Sequence, residues 1–122
     1  MKSPTEPGPR RGWVYIADLD PPRGTEPRKI RPVLALQTDL INSRHASTIV
    51  VPLTTKVALN STILRVHFKK GEASLGEDSD AMVDQLRVID NRRLGRALGA
   101  APASRMAEIE RALSILLDLP GA

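Results

Sequence analysis

The sequence contains 122 residues, which is enough for one stable domain, and its lack of cysteine excludes disulfides and thiolate metal sites. A net charge of +4 at pH 7 and a pI of about 10.0 favour an anionic partner. No apolar run approaches the ~20 residues of a membrane span, and the polar N-terminus lacks the apolar segment of a secretory signal. We therefore expect a cytoplasmic protein that does not contact a membrane.

The N-terminal region is predicted to be a tail followed by a strand and a loop. Residues 1–9 carry three prolines and no apolar pattern, so we expect a flexible tail before a single domain of residues 10–122. Residues 13–17 are rich in aromatic and β-branched side chains, which is typical of a strand. Residues 23–30 are polar, charged and interrupted by proline, and they predict a surface loop.

Two short apolar segments then predict a pair of buried strands, residues 33–37 and 48–53, joined by a polar turn. Arg31 precedes the first strand and Thr54 follows the second. If the strands pair antiparallel, these two residues lie at the same end of the pair. A cation beside a hydroxyl at an open sheet end is a compact site for a phosphate.

The second half of the chain predicts further β-structure. Alternating apolar and polar residues indicate a half-buried strand at residues 63–68 and a fifth strand at residues 81–88. Glycines and charges indicate a loop at residues 69–80, and residues 90–95 predict a turn or a single helical turn.

The C-terminal region predicts an amphipathic helix. Ser104 is the expected N-cap, and the sequence Pro120-Gly121 is the expected stop. The helix has an apolar stripe formed by Met106, Ile109, Leu113, Leu116 and Leu117. About five strands followed by one helix predict a mainly β fold, a small antiparallel barrel or half-barrel with a packed C-terminal helix.

Few residues are candidates for chemistry. His45 and His67 lack metal-ligand spacing, which favours solvated or hydrogen-bonded histidines, and no glycine-rich phosphate loop is present. The sequence therefore predicts neither a metal nor a cofactor. With only three aromatic residues, a base-stacking platform for RNA is disfavoured.

The strongest candidates are Arg31 and Thr54. A guanidinium can stabilise the extra charge of a pentacoordinate phosphorane, and a nearby hydroxyl can donate to the same oxygens. Taken alone, the two residues leave a purely structural role open. A second basic group lies late in the chain and consists of Arg87, Arg92, Arg93 and Arg96. This late basic group is either a solvated face or a surface for a partner, and the sequence leaves both open.

Several segments resemble, in order and spacing, the MazF/PemK toxins, the endoribonucleases of type II toxin–antitoxin systems. They are residues 13–21 (WVYIADLDP), 23–26 (RGTE), 31–33 (RPV), 51–54 (VPLT), 83–87 (VDQLR) and 92–95 (RRLG). The resemblance implies a small SH3-like antiparallel β-barrel of the PemK/Kid/CcdB type with a C-terminal helix, which acts as a homodimer. It also implies metal-independent cleavage of single-stranded RNA to a 2′,3′-cyclic phosphate and a 5′-hydroxyl, and neutralisation by a cognate antitoxin.

By motif position, the resemblance assigns catalysis to Arg31 and Thr54. Pro27 departs from the family pattern, which has glutamine at this position, so substrate preference is expected to differ. For Gln85, a strand hydrogen bond is an equal alternative to an RNA contact. The expected substrate-binding residues are Thr25, Glu26, Arg28, Lys29, Thr55 and Gln85.

Two other functions remain open at this stage. A gyrase poison would share the architecture without nuclease activity, but such relatives use an aromatic C-terminal end, and residues 116–122 contain no aromatic side chain. A plain RNA-binding barrel is the other alternative.

Overall fold

The computed structural model describes three segments of the chain: residues 8–20, 29–58 and 63–121. Within these segments the chain forms one seven-stranded antiparallel sheet and two α-helices. The strands are β1 (Trp13–Asp20), β2 (Lys29–Ala35), β3 (Ser47–Thr54), β4 (Arg65–Phe68), β5 (Ser79–Met82), β6 (Arg87–Asp90) and β7 (Leu94–Ala100). The helices are α1 (Asp39–Asn42) and α2 (Ala103–Leu116). The predicted mainly β fold with a C-terminal helix is confirmed, although about five strands is too low a count.

The strand order is β4-β5-β3-β2-β1-β7, and β6 also pairs with β3. On the side away from β2, β3 therefore has two partners: β6 as far as Val50 and β5 from Leu53 onward. Pro52 falls between these two ladders, opposite Val33 of β2. Because proline has no N–H to donate, this change of partner lets it occupy an interior strand.

Alternation along the strands divides the buried side chains between two faces. Val14 and Leu34 belong to the core cluster that includes Ile109 and Ala112 of α2. Their chain neighbours belong to a second cluster, whose buried members are Tyr15, Ala17, Leu19, Val33, Ala35, Val50 and Ile89. Both faces of the central strands are thus covered, which explains why β2 and β3 appear in the sequence as continuous apolar segments.

The C-terminal helix packs on one face of the sheet and is tied to the loop after β4 by an ion pair. Arg105 Nε lies 3.0 Å from Glu72 Oε1, and this bond holds the pKa of Glu72 below its ordinary value. The predicted N-cap at Ser104 is wrong: the helix is capped at Pro102, whose carbonyl accepts the first helical hydrogen bonds. In the described part of the chain, no helix is long and apolar enough to cross a membrane.

The predicted fifth strand at residues 81–88 is wrong, because the chain there forms two strands. A turn of 3-10 helix, Val83–Gln85, separates β5 from β6. Val83 is buried and its N–H donates to the Leu64 carbonyl, so an apolar residue that fits the strand pattern instead anchors a turn. The turn carries the chain from the end of β3 to its beginning, a change that alternation cannot reveal.

Other boundaries also differ from the prediction. The turn predicted at residues 90–95 ends in β7, a strand that the two glycines at 95 and 99 obscured. At Gly99 a Cβ would lie 2.9 Å from the backbone carbonyl carbon of Ala73, so the strand needs glycine there. The predicted loops at 23–30 and 69–80 each include the start of a strand, β2 and β5 respectively. Residues 1–7 of the predicted tail and residues 23–28 lie outside the described residues.

Candidate functional site

The pairing of β2 with β3 brings Arg31 and Thr54 to the same end of the sheet. Val33 lies opposite Pro52 and Leu34 opposite Val51. The pairing itself ends at Val33, but both Arg31 and Thr54 line one cavity at this sheet end. The structure therefore places the two residues together, as the sequence predicts.

A cavity of about 260 Å³ opens at this sheet end. Among the residues that the structure describes, two cations and two hydroxyls contribute to its wall, and no carboxylate does. Its lining residues are Ile30, Arg31, Pro32, Leu53, Thr54, Thr55 and Lys56. A wall of this composition is suited to an anion that also presents an apolar surface, such as a nucleotide phosphate with its sugar.

Arg31 is half-buried, and no carboxylate of the described residues forms an ion pair with it. By contrast, Arg11, Arg92 and Arg105 each hold a carboxylate oxygen at 3.0 Å or less. A guanidinium without a protein anion keeps its planar fork of donors for a ligand. The site thus offers a guanidinium for bidentate contact with a phosphate.

Thr54 differs from its neighbour Thr55 in having a fixed hydroxyl. The backbone N–H of Lys56 donates to Thr54 Oγ1 at 3.2 Å, so the oxygen is held while its own proton is free to be donated. Thr55 is exposed, and among the described residues only its backbone carbonyl has a recorded bond, from Val57 N–H at 3.0 Å. The geometry favours Thr54 as the threonine with a defined role.

A buried carboxylate lies next to the site, on the strand that pairs with β3 beside Thr54. Asp80 of β5 lies directly opposite Thr54 and is only 2% exposed. It accepts from the Ala58 N–H at 2.9 Å and from His67 Nδ1 at 3.1 Å, and its Oδ2 lies 3.4 Å from Arg65 Nη1. The interpretation of His67 as a hydrogen-bonded rather than catalytic histidine agrees with this contact.

Sequence reasoning missed both Asp80 and Lys56. Asp80 falls in a segment that the glycines mark as a loop, and only the register of β5 against β3 reveals its position. Lys56 lies three positions after the predicted strand, and a weak signal was available because this cation directly follows the Thr54-Thr55 pair.

Of the remaining predicted substrate-binding residues, the two that the structure describes do not line the cavity. Thr25, Glu26 and Arg28 lie outside the described residues. Lys29 begins β2, and Gln85 ends the 3-10 turn before β6; both are exposed, and neither lines the cavity. The alternative of a strand hydrogen bond for Gln85 is wrong, because Gln85 is not in a strand.

The late basic group divides into structural and exposed members. Arg87 and Arg93 donate to the backbone carbonyls of Leu19 and Asp18, each at 3.2 Å, and so hold the end of β1. Arg92 pairs with Asp90 and, by hydrogen bonding, lowers the pKa of that carboxyl to about 2. Of the four arginines, only Arg96 is exposed without a recorded partner in the described segments. Among those segments, no group of three or more acidic, histidine or cysteine side chains could hold a metal ion.

The fold and the cavity together define a class: a small antiparallel β protein with an arginine and a threonine in a cavity at one sheet end. A match to a protein-family model assigns the chain to one family within this class. The chain belongs to the PemK-like, MazF-like toxins of type II toxin-antitoxin systems, whose model matches residues 10–117.

Individual relatives agree with this membership. Endoribonuclease MazF of Staphylococcus epidermidis is 36% identical over 110 residues, which cover 90% of this chain and 92% of that protein. The Mycobacterium tuberculosis toxin MazF-mt6 has a TM-score of 0.74 at 27% identity, with 88% of this chain and 97% of that chain covered. A mycobacterial endoribonuclease in complex with its cognate antitoxin has a TM-score of 0.75 at 26% identity, with 93% and 99% covered.

Proposed function

We propose that this toxin cleaves single-stranded RNA, without a metal ion, at the cavity formed by Arg31 and Thr54. Endoribonuclease activity follows from membership of the family and from the 36% identical relative that bears this name. The observation that supports the choice of site is the cavity that Arg31 and Thr54 both line: Arg31 forms no ion pair with a described residue, and the Thr54 hydroxyl oxygen accepts from the Lys56 N–H.

The proposed reaction is an internal transesterification. The ribose 2′-oxygen forms a bond to phosphorus as its proton is lost to solvent, the bond from phosphorus to the 5′-oxygen breaks, and that oxygen takes up a proton. The products are a 2′,3′-cyclic phosphate and a 5′-hydroxyl. Since the nucleophile belongs to the RNA, the protein must chiefly position the phosphodiester and stabilise the charge that develops on it.

Each residue has a distinct part in this step. Arg31 donates two N–H groups to the non-bridging oxygens, where negative charge increases in the transition state. Thr54, whose oxygen is held by the Lys56 N–H, donates its hydroxyl proton to the same phosphate. Thr55 and Lys29 are proposed to contact neighbouring parts of the strand, as are Thr25, Glu26, Arg28 and Gln85.

The proposal extends to partners. A mycobacterial relative was solved with its cognate antitoxin, and we propose that a cognate antitoxin neutralises this chain as well. We also propose a cytoplasmic homodimer in which residues 10–122 of each copy form the toxin domain. The net charge of +4 is favourable for binding both RNA and an acidic antitoxin segment.

The test is to incubate the purified toxin with total RNA in the presence and absence of EDTA and to determine the chemistry of the new ends. We expect cleavage that the chelator does not reduce, with cyclic phosphate and 5′-hydroxyl termini. Intact RNA together with inhibition of DNA gyrase would point to a gyrase poison instead. RNA binding without products would point to an RNA-binding barrel.

A further inference from the structure

The turn that follows β3 is fixed by hydrogen bonds at successive residues. Lys56 N–H donates to Thr54 Oγ1 at 3.2 Å, and Val57 N–H donates to the Thr55 carbonyl at 3.0 Å. Ala58 N–H then donates to the buried Asp80 carboxylate at 2.9 Å. The backbone of residues 54–58 is therefore held in one conformation at the edge of the cavity.

Asp80 holds this turn through a second route as well. Arg65 Nη1 lies 3.4 Å from Asp80 Oδ2 and donates to the Lys56 carbonyl at 3.3 Å, so that it bridges the carboxylate and the turn. A buried carboxylate is costly unless its charge is paired and its oxygens are hydrogen-bonded. Here both conditions are met, and one of the bonds serves to fix Ala58 and thereby the backbone beside Lys56.

Lys56 is the residue that this arrangement presents to the cavity. Its side chain is exposed and lines the cavity, and its ammonium forms no ion pair with any residue of the described segments. The hydrogen bonds of the turn fix the backbone of Lys56 and therefore the point from which its side chain leaves. A second cation beside Arg31 allows the site to contact two successive phosphates of one strand.

We propose that Lys56 binds a substrate phosphate next to the scissile one and that Asp80 is the positioning residue that holds Lys56 there. This inference rests on the proposed function, because the ligand is the RNA strand that Arg31 and Thr54 cleave. Lys56 acts by charge on binding, whereas Asp80 acts through the Ala58 amide and Arg65 without touching RNA.

The test for Lys56 is the salt dependence of RNA binding. A fluorescein-labelled pool of mixed-sequence RNA, 2′-O-methylated so that no internal nucleophile remains, is titrated with protein across a range of salt concentrations. For single strands, each phosphate neutralised contributes about 0.7 to the slope of log K against log salt. Lys56→Gln keeps the backbone N–H that holds Thr54, and it is expected to reduce the slope by about 0.7. Lys70→Gln removes the same charge from an exposed residue outside the cavity and should leave the slope unchanged.

The test for Asp80 is coupling to Lys56. Asp80→Asn should reproduce the loss of slope and raise KM more than it lowers kcat, and it should have no further effect on the slope in the Lys56→Gln background. Arg65→Lys keeps a cation beside Asp80 but is too short to make both contacts of the guanidinium. It is expected to give a smaller loss of the same kind, and it tests the positioning even if Asp80→Asn does not fold.

The outcomes separate this inference from the proposed function. Wild-type RNA cleavage with an unchanged salt slope in Lys56→Gln would overturn the inference and leave the function in place. A reduced slope in a protein that cleaves no RNA would uphold Lys56 as a phosphate-binding residue and overturn the function. Equal loss of slope from Asp80→Asn with and without Lys56 would show that Asp80 does not act through Lys56.

Discussion

Arg31→Ala removes the cation that the proposed transition state requires. The substitution should have little effect on the stability of the fold. Arg31 is half-buried and has no ion pair with a described residue, so no carboxylate is left without its partner. We therefore expect the free energy of unfolding to change by no more than about 0.5 kcal/mol. An effect on activity would then report on the site rather than on stability.

The size of the effect follows from the chemistry of the lost contact. Removing one preorganised donor to a developing oxyanion costs about 10²–10³ in kcat, or about 2.7–4 kcal/mol. Lys56 also lines the cavity and keeps one cation near the phosphate, so RNA binding should weaken less than turnover. Arg31→Lys preserves the charge but not the fork of donors, and it should retain activity between the wild type and Arg31→Ala.

The assay is single-turnover cleavage of a fluorescent RNA that contains the mapped cleavage sequence, with enzyme in excess. Arg44→Ala is the matched control, because Arg44 is exposed, lies outside the cavity and carries the same charge. Wild-type cleavage by Arg31→Ala would refute the reasoning. Equal losses in Arg31→Ala and Arg44→Ala would attribute the effect to net charge rather than to this site.

Three further predictions concern the hydroxyl, the core and the dependence on pH. Thr54→Val should lower kcat by about 10- to 100-fold, the value of one hydrogen bond to a charged group, whereas Thr54→Ser should remain close to the wild type in the same cleavage assay. Phe68→Ala empties a fully buried site and should lower the free energy of unfolding by about 3–5 kcal/mol in urea denaturation followed by circular dichroism; a loss below about 1 kcal/mol would contradict the packing described. The hydrogen bond from Arg105 holds the pKa of Glu72 in the folded protein below its ordinary value of 4.5, so the stability from this pair is present above pH 4.5 and is lost as pH falls through the lowered pKa. The urea midpoint should thus fall more steeply below pH 4.5 in the wild type than in Arg105→Gln, and parallel curves would contradict the linkage.

The pairing of β2 with β3 was predictable because each strand can be recognised from its own local pattern of apolar residues. β2 and β3 are short, apolar and buried on both faces, and a single antiparallel pairing brings Arg31 and Thr54 to the same sheet end. The last helix was predictable for the same reason, since its apolar stripe includes the buried Ile109. Its first residue was not, because the helix starts after Pro102 without a side-chain cap.

The features that the sequence did not reveal depend on which strands become neighbours. The break at residues 83–85 divides the segment into β5 and β6, which pair with opposite ends of β3. In the sequence, Asp80 is only a polar residue in a segment that contains glycines. The register of β5 against β3 shows that it lies opposite Thr54. β7 contains two glycines, one of which is needed for a close approach to the backbone of Ala73. Such features arise from long-range packing and carry no periodic signal.

The central claim is that the nucleophile belongs to the RNA and that the cavity beside Arg31 and Thr54 only binds, orients and stabilises. The most direct measurement replaces the 2′-hydroxyl by hydrogen at the single mapped cleavage position of an otherwise unmodified RNA. Binding should persist and cleavage at that position should be abolished, while the unmodified RNA is cut in the same reaction mixture. Continued cleavage of the 2′-deoxy substrate at that position would require a different nucleophile and would contradict the mechanism.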